Sequence, residues 1–111
     1  MIFITGPLYS GKRSFAKGLL RCDDAALSGR CALDVHELAA GCADLEALAE
    51  RLSHYEIVTA AELGGGIVPL DPKERKARER AGQLSCLLAA RAGTVLRMFC
   101  GIPTVLKGEL P

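Results

Sequence analysis

The sequence predicts an α/β fold with a mostly parallel sheet wrapped by helices, and three observations carry that expectation. Short apolar runs of strand length alternate with stretches of helical periodicity, the pattern of strands joined through crossover helices. The first run, Ile2-Phe3-Ile4-Thr5, is nearly continuous in apolar character, as in a strand covered on both faces. Between that run and the first helical stretch lies Gly6-Pro7-Leu8-Tyr9-Ser10-Gly11-Lys12, the spacing of a phosphate-binding loop.

The elements follow in order. Residues 2–5 form the first strand, and residues 12–20 a helix with Phe15, Ala16, Leu19 and Leu20 on one side. Ser28-Gly29-Arg30 reads as a turn and Cys31 to Val35 as a short second strand. Asp44 caps a helix whose Leu45, Leu48, Ala49 and Leu52 fall on one face. Glu56 to Ala60 reads as the next strand, followed by Glu62 and the triple glycine Gly64-Gly65-Gly66, which permits a tight loop or the close approach of a ligand. Asp71-Pro72-Lys73-Glu74 starts a helix predicted to reach Arg91, with Ala77, Ala81, Leu84 and Leu88 as its buried stripe. Its charged start, Lys73 to Arg80, reads as a solvated face rather than a binding patch. Gly93 ends the helix, and Thr94 to Phe99 forms a last strand.

Composition narrows the function classes. A chain of 111 residues is expected to form one domain over residues 1–111, with a core of Leu, Val, Ile and Ala, since aromatics are few and Trp is absent. A net charge of +1 gives no electrostatic footprint for nucleic acid, and no apolar stretch reaches the length of a membrane span. No leader pattern opens the sequence, so a cytoplasmic location is expected. Cys22, Cys31, Cys42, Cys86 and Cys100 form no metal-type pair and are mostly read as small buried apolar residues.

The chemistry centres on the glycine loop. Its backbone N–H groups must point inward at an anion, which needs glycine where side chains would clash. The following helix adds its unpaired N–H groups and positive dipole end, and Lys12 supplies a cation for the outer phosphates. The binding set is therefore Gly6, Pro7, Leu8, Tyr9, Ser10, Gly11, Lys12, Arg13 and Ser14. One departure stands out: Arg13 occupies the position of the hydroxyl residue that binds Mg²⁺, with Ser14 one place late. Arg13 is open to two readings, a second phosphate cation or a solvent-facing side chain. Glu62, just past a strand end, either holds Mg²⁺ or accepts the proton of an attacking hydroxyl, or else hydrogen-bonds the loop backbone. Asp34 and His36 follow the second strand and are expected near the same edge. His36 is the histidine placed for direct catalysis, since His54 falls at a helix end before a strand.

Gly6 to Lys12 together with Val58-Thr59-Ala60-Ala61-Glu62-Leu63-Gly64-Gly65-Gly66-Ile67-Val68-Pro69 resembles the adenosylcobinamide kinase/adenosylcobinamide-phosphate guanylyltransferase family of cobalamin biosynthesis. Ala81-Gly82, Leu88-Ala89-Ala90 and Cys100-Gly101-Ile102 keep that family's order along the chain. The resemblance implies a P-loop NTPase-like three-layer fold, reduced in size. It also implies two steps: phosphorylation of the aminopropanol hydroxyl of adenosylcobinamide by GTP or ATP, with Mg²⁺, then GMP transfer through a guanylylated histidine. Residues 21–55 are too few to hold the family's histidine-bearing middle segment. A kinase with the guanylyltransferase half lost is therefore the expectation, with Lys12, Glu62 and His36 as the catalytic set. The alternatives are a non-catalytic nucleotide-binding protein and a degenerate partner subunit of a full-length enzyme. The expected partners are a nucleoside triphosphate and a cobinamide-like molecule, with homo-oligomer formation left open.

Overall fold

A computed structural model describes residues 1–63 and 71–111. Among these residues five strands, β1 (Ile2–Gly6), β2 (Cys31–Ala32), β3 (Ile57–Ala61), β4 (Thr94–Phe99) and β5 (Ile102–Lys107), form one sheet in the order β2-β3-β1-β4-β5. All neighbours pair in parallel except β4 and β5, which are antiparallel. The helices are α1 (Lys12–Leu20), α2 (Asp24–Arg30), α3 (His36–Ala39), α4 (Leu45–Leu52) and α5 (Pro72–Arg91).

Strand alternation divides the apolar residues between two faces. Phe3, Val58 and Val95 pack with Leu45, Leu48 and Leu52 of α4 and Ala81, Leu84 and Leu88 of α5. Their neighbours Ile4, Ile57 and Leu96 point the other way, onto Ala16 of α1 and Leu27 of α2. The result is a three-layer α/β fold of the P-loop-like type, with a mostly parallel sheet in the middle. Connections leave β1 towards β2 on one face and β3 towards β4 on the other. The carboxyl end of β1 is thus a switch point, where ligands of open α/β sheets bind.

Several local readings need correction. Ser28-Gly29-Arg30 is not a turn but the end of α2, which the Asp23 carboxylate caps by accepting from the Ala26 N–H at 2.8 Å. Leu27 anchors this helix in the core, and nothing lies within 4 Å of the Cβ position of Gly29, so glycine there is merely tolerated. The second strand stops at Ala32, because Asp34 turns left-handed (φ 54°) and α3 begins at His36. Glu56 precedes β3 rather than belonging to it. Ala77 is only half-buried, so the apolar stripe of α5 starts at Ala81. Of the cysteines only Cys31 is buried; Cys86 and Cys100 are exposed. β5 was not foreseen: its exposed side chains give weak alternation, and Pro103 suits an edge strand, where a missing N–H costs no ladder bond. Gly64-Gly65-Gly66 and Ile67-Val68-Pro69 lie outside the described residues. No described helix is long and apolar enough to cross a membrane.

Candidate functional site

The loop between β1 and α1 is built on backbone that other residues would not tolerate. Gly6 has φ +149°, and a Cβ there would meet the Met98 carbonyl oxygen of β4 at 2.3 Å. Gly11 caps α1 in the left-handed region at φ 92°, and a Cβ there would press on Gly101 Cα at 3.3 Å. The turn between β4 and β5 backs the loop directly, with the Gly101 N–H donating to Ser10 O at 2.9 Å. Tyr9, at the loop tip with φ 60°, is fully exposed.

Lys12 is the first residue of α1, and its side chain folds back into the loop. Nζ donates to Pro7 O at 2.7 Å, and to Gly6 O and Ser10 Oγ at 3.3 Å each. Both Lys12 and Ser10 are buried. Burial pushes the Lys12 ammonium below its ordinary value, while the Asp34 and Glu62 carboxylates pull it back up. The loop thus gathers a partly desolvated cation at the end of β1, beside a helix N-terminus of positive dipole.

A cavity of about 420 Å³ opens over this cation, lined by loop residues Leu8 to Ser14 with Leu33, Asp34 and Thr59. Asp34 is steered into place by backbone bonds: its N–H donates to Thr59 Oγ1 and the Val35 N–H to Thr59 O, both at 3.0 Å. Thr59 is the one hydroxyl on the otherwise apolar β3, fully buried. Arg13 lines the same cavity, but its guanidinium lies 3.1 Å from Asp24 on α2. Ser14 is exposed at the rim. No cluster of three potential metal ligands exists among the described residues. Mg²⁺ ordinarily takes one or two carboxylates, the substrate's phosphate oxygens and water rather than an all-protein cage. Asp34, the carboxylate lining this cavity, fits that requirement.

Glu62 lies elsewhere. It lines a second cavity of about 510 Å³ on the α5 side of the loop, with Pro7, Leu8, Arg97 and Phe99. Arg97 of β4 grips it at both oxygens, Nε to Oε1 at 2.7 Å and Nη2 to Oε2 at 3.0 Å. That grip holds the Glu62 carboxyl below the usual range and leaves it a weak base. The link to the loop backbone runs through the main chain instead, with the Glu62 N–H donating to Gly6 O at 2.8 Å. Arg97 also stacks over Phe99, 5.8 Å from the ring centre.

His36 opens α3, half-buried, and its Nδ1 accepts the Ala61 N–H at the end of β3, 2.9 Å away. In the neutral ring the proton then sits on Nε2, so neither nitrogen offers a free lone pair for attack. His36 does not line the cavity over Lys12. His54 is exposed, with its Nε2 3.6 Å from Glu50. Asp34 lies at the edge where the sequence places it and lines the cavity over Lys12, Glu62 lines the neighbouring cavity, and Thr59 and Arg97 were not singled out from sequence. The available signals were the polar residues at the ends of otherwise apolar strands.

The family model described as cobinamide kinase / cobinamide phosphate guanyltransferase matches residues 23–106 of the 111. No curated protein matches the chain. The phosphate-type loop precedes the matched segment, whereas Asp34, His36, Thr59, Glu62 and Arg97 fall inside it. The chain belongs to the cobinamide kinase / cobinamide phosphate guanyltransferase family, whose members act in cobalamin biosynthesis on nucleoside triphosphates.

Proposed function

We propose that the chain is a nucleotide-dependent phosphotransferase that phosphorylates the aminopropanol hydroxyl of a cobinamide-type acceptor, with guanylyl transfer lost. The reading takes it as a single cytoplasmic domain using GTP or ATP. The supporting observation is the Lys12 cradle: a buried ammonium held by three loop oxygens at the switch point of the sheet. Triphosphate oxygens arriving in the cavity offer this ammonium charged acceptors in place of neutral carbonyls, which are stronger partners. Mg²⁺, carried in on the triphosphate beside Asp34, would supply further charge neutralisation.

In the transfer, the acceptor oxygen bonds to the terminal phosphorus as the bond to the bridging oxygen breaks, the nucleoside diphosphate leaves on that oxygen, and the hydroxyl proton passes to solvent water. A loose transition state asks mainly for positioning and positive charge. Lys12 and the α1 N-terminus meet the charge on the nucleotide. Glu62, fixed by Arg97, orients the hydroxyl rather than deprotonating it. A second reading, nucleotide binding without transfer, is favoured by Arg13 in the hydroxyl position and by the commitment of Glu62 to Arg97.

Lys12→Ala tests the assignment. It should weaken triphosphate binding by roughly 10- to 100-fold in calorimetry, from the loss of one or two charge-assisted bonds. Monophosphate binding should change much less, since a monophosphate lacks the outer phosphates. Equal triphosphate affinity in the variant and the parent, or none in either, would show that the loop is only a turn. Phosphate transfer to cobinamide then separates the kinase from the silent binder.

A further inference from the structure

Arg13 follows the loop lysine, at the position where a metal-binding hydroxyl is ordinarily found. It lines the cavity over Lys12, yet its Nη2 lies 3.1 Å from Asp24 Oδ1. The same oxygen is 3.1 Å from Lys17 Nζ, so one carboxylate serves two cations from successive turns of α1. The Arg13 and Asp24 side chains are 61% and 65% exposed. Such a pair is weak and screened by salt, whereas the outer phosphates of a nucleotide offer a guanidinium more charge and a bidentate edge.

We propose that Arg13 is a phosphate-binding cation held in reserve on Asp24, and that a bound triphosphate displaces this internal competitor. Lys17 makes the exchange possible, because Asp24 keeps one cation after Arg13 leaves. The two cations hold the Asp24 carboxyl below its usual range, Lys17 foremost, so the competitor stays ionised through the neutral range. Asp24 thereby sets triphosphate affinity without touching the nucleotide. It is a positioning residue.

The inference rests on the nucleotide reading of the loop, and one calorimetric series separates the two. Parent, Lys12→Ala, Asp24→Asn, Arg13→Gln and the Arg13→Gln/Asp24→Asn double variant are titrated with GTP and with inorganic tripolyphosphate. Asp24→Asn keeps the fold, since the residue is exposed and Asp23 supplies the cap of α2. It should bind both probes roughly two- to fivefold more tightly than the parent, the scale of one exposed ion pair. Arg13→Gln should bind more weakly, and in that background Asp24→Asn should gain nothing. Lys12-dependent binding with no gain from Asp24→Asn would overturn the latch alone. An equal gain with and without Arg13 would reduce Asp24 to a long-range charge and also overturn it. Binding of neither probe to any variant would overturn both readings.

Discussion

Gly6→Ala puts the union of sheet and loop under the sharpest test. At φ +149° the backbone lies in a region that residues with a Cβ rarely enter. The added carbon would stand 2.3 Å from the Met98 carbonyl oxygen and 2.9 Å from Ser10 Oγ. A close carbon–oxygen contact needs about 3.3 Å, so β1 and β4 must part by about 1 Å in the centre of the sheet. Backbone strain of about 1–3 kcal/mol and overpacking of about 1–3 kcal/mol together give about 2–6 kcal/mol. For a chain of this size that corresponds to roughly 10–25 °C in Tm. Thermal unfolding followed by circular dichroism reads the shift directly. Gly82→Ala is the matched control: this glycine lies inside α5 with nothing within 4 Å of its Cβ position. That substitution should raise stability by about 0.5–1 kcal/mol. A Gly6→Ala protein melting within about 2 °C of the parent would refute the reasoning, since an unaffected site tolerates change at that level.

The other expectations follow from single contacts. His36→Ala leaves the Ala61 N–H without its acceptor and should lower stability by about 1–2 kcal/mol in urea unfolding. Incubation of the parent with GTP should yield no acid-labile GMP adduct by mass spectrometry; an adduct lost in His36→Ala would restore His36 as a nucleophile. Glu62 is held below its ordinary value of 4.5 by Arg97. The stability this adds is present above that value and lost as pH falls through the lower folded one, so Glu62→Gln should flatten the acid limb of a Tm–pH curve. Parallel acid limbs would show that the ion pair adds nothing. Cys86 and Cys100 should alkylate rapidly, whereas Cys31 should react only on unfolding, since burial both hides its thiol and raises its pKa; peptide mapping distinguishes the three.

What was legible in the sequence was punctuated by residues whose chemistry acts locally. Asp44 caps α4, Asp71 and Pro72 start α5, and the loop from Gly6 to Lys12 lies between strand and helix as its spacing requires. What escaped depends on partners distant in sequence. α2 looked like a turn because Ser28 and Gly29 dominate its end, while its stability comes from Leu27 buried beneath it and the Asp23 cap. β5 exists because β4 offers it an edge, not because its own pattern demands a strand. The same holds at the site. Glu62 reads as a free acid until Arg97, 35 residues later, is found gripping both its oxygens. Asp34 gains its position from the hydroxyl of Thr59 on β3, a contact 25 residues away that the sequence does not display.

The bond from Gly101 N–H to Ser10 O has a consequence in time as well as in space. A growing chain emits the phosphate-type loop before β3 and β4, so β1 must wait for β3 on one side and β4 on the other before either edge is paired. The turn that backs the loop arrives some 90 residues after it. Contacts of such long sequence separation form late and slowly. While residues 94–101 are still missing, the apolar β1 edge stands open and the loop lacks its rear wall, the kind of interval in which partly made chains aggregate. Any nucleotide capacity of this chain should therefore appear only once β4 and its turn are in place. Stalled chains ending before that turn should be recoverable as aggregates or chaperone complexes, not as nucleotide-binding fragments.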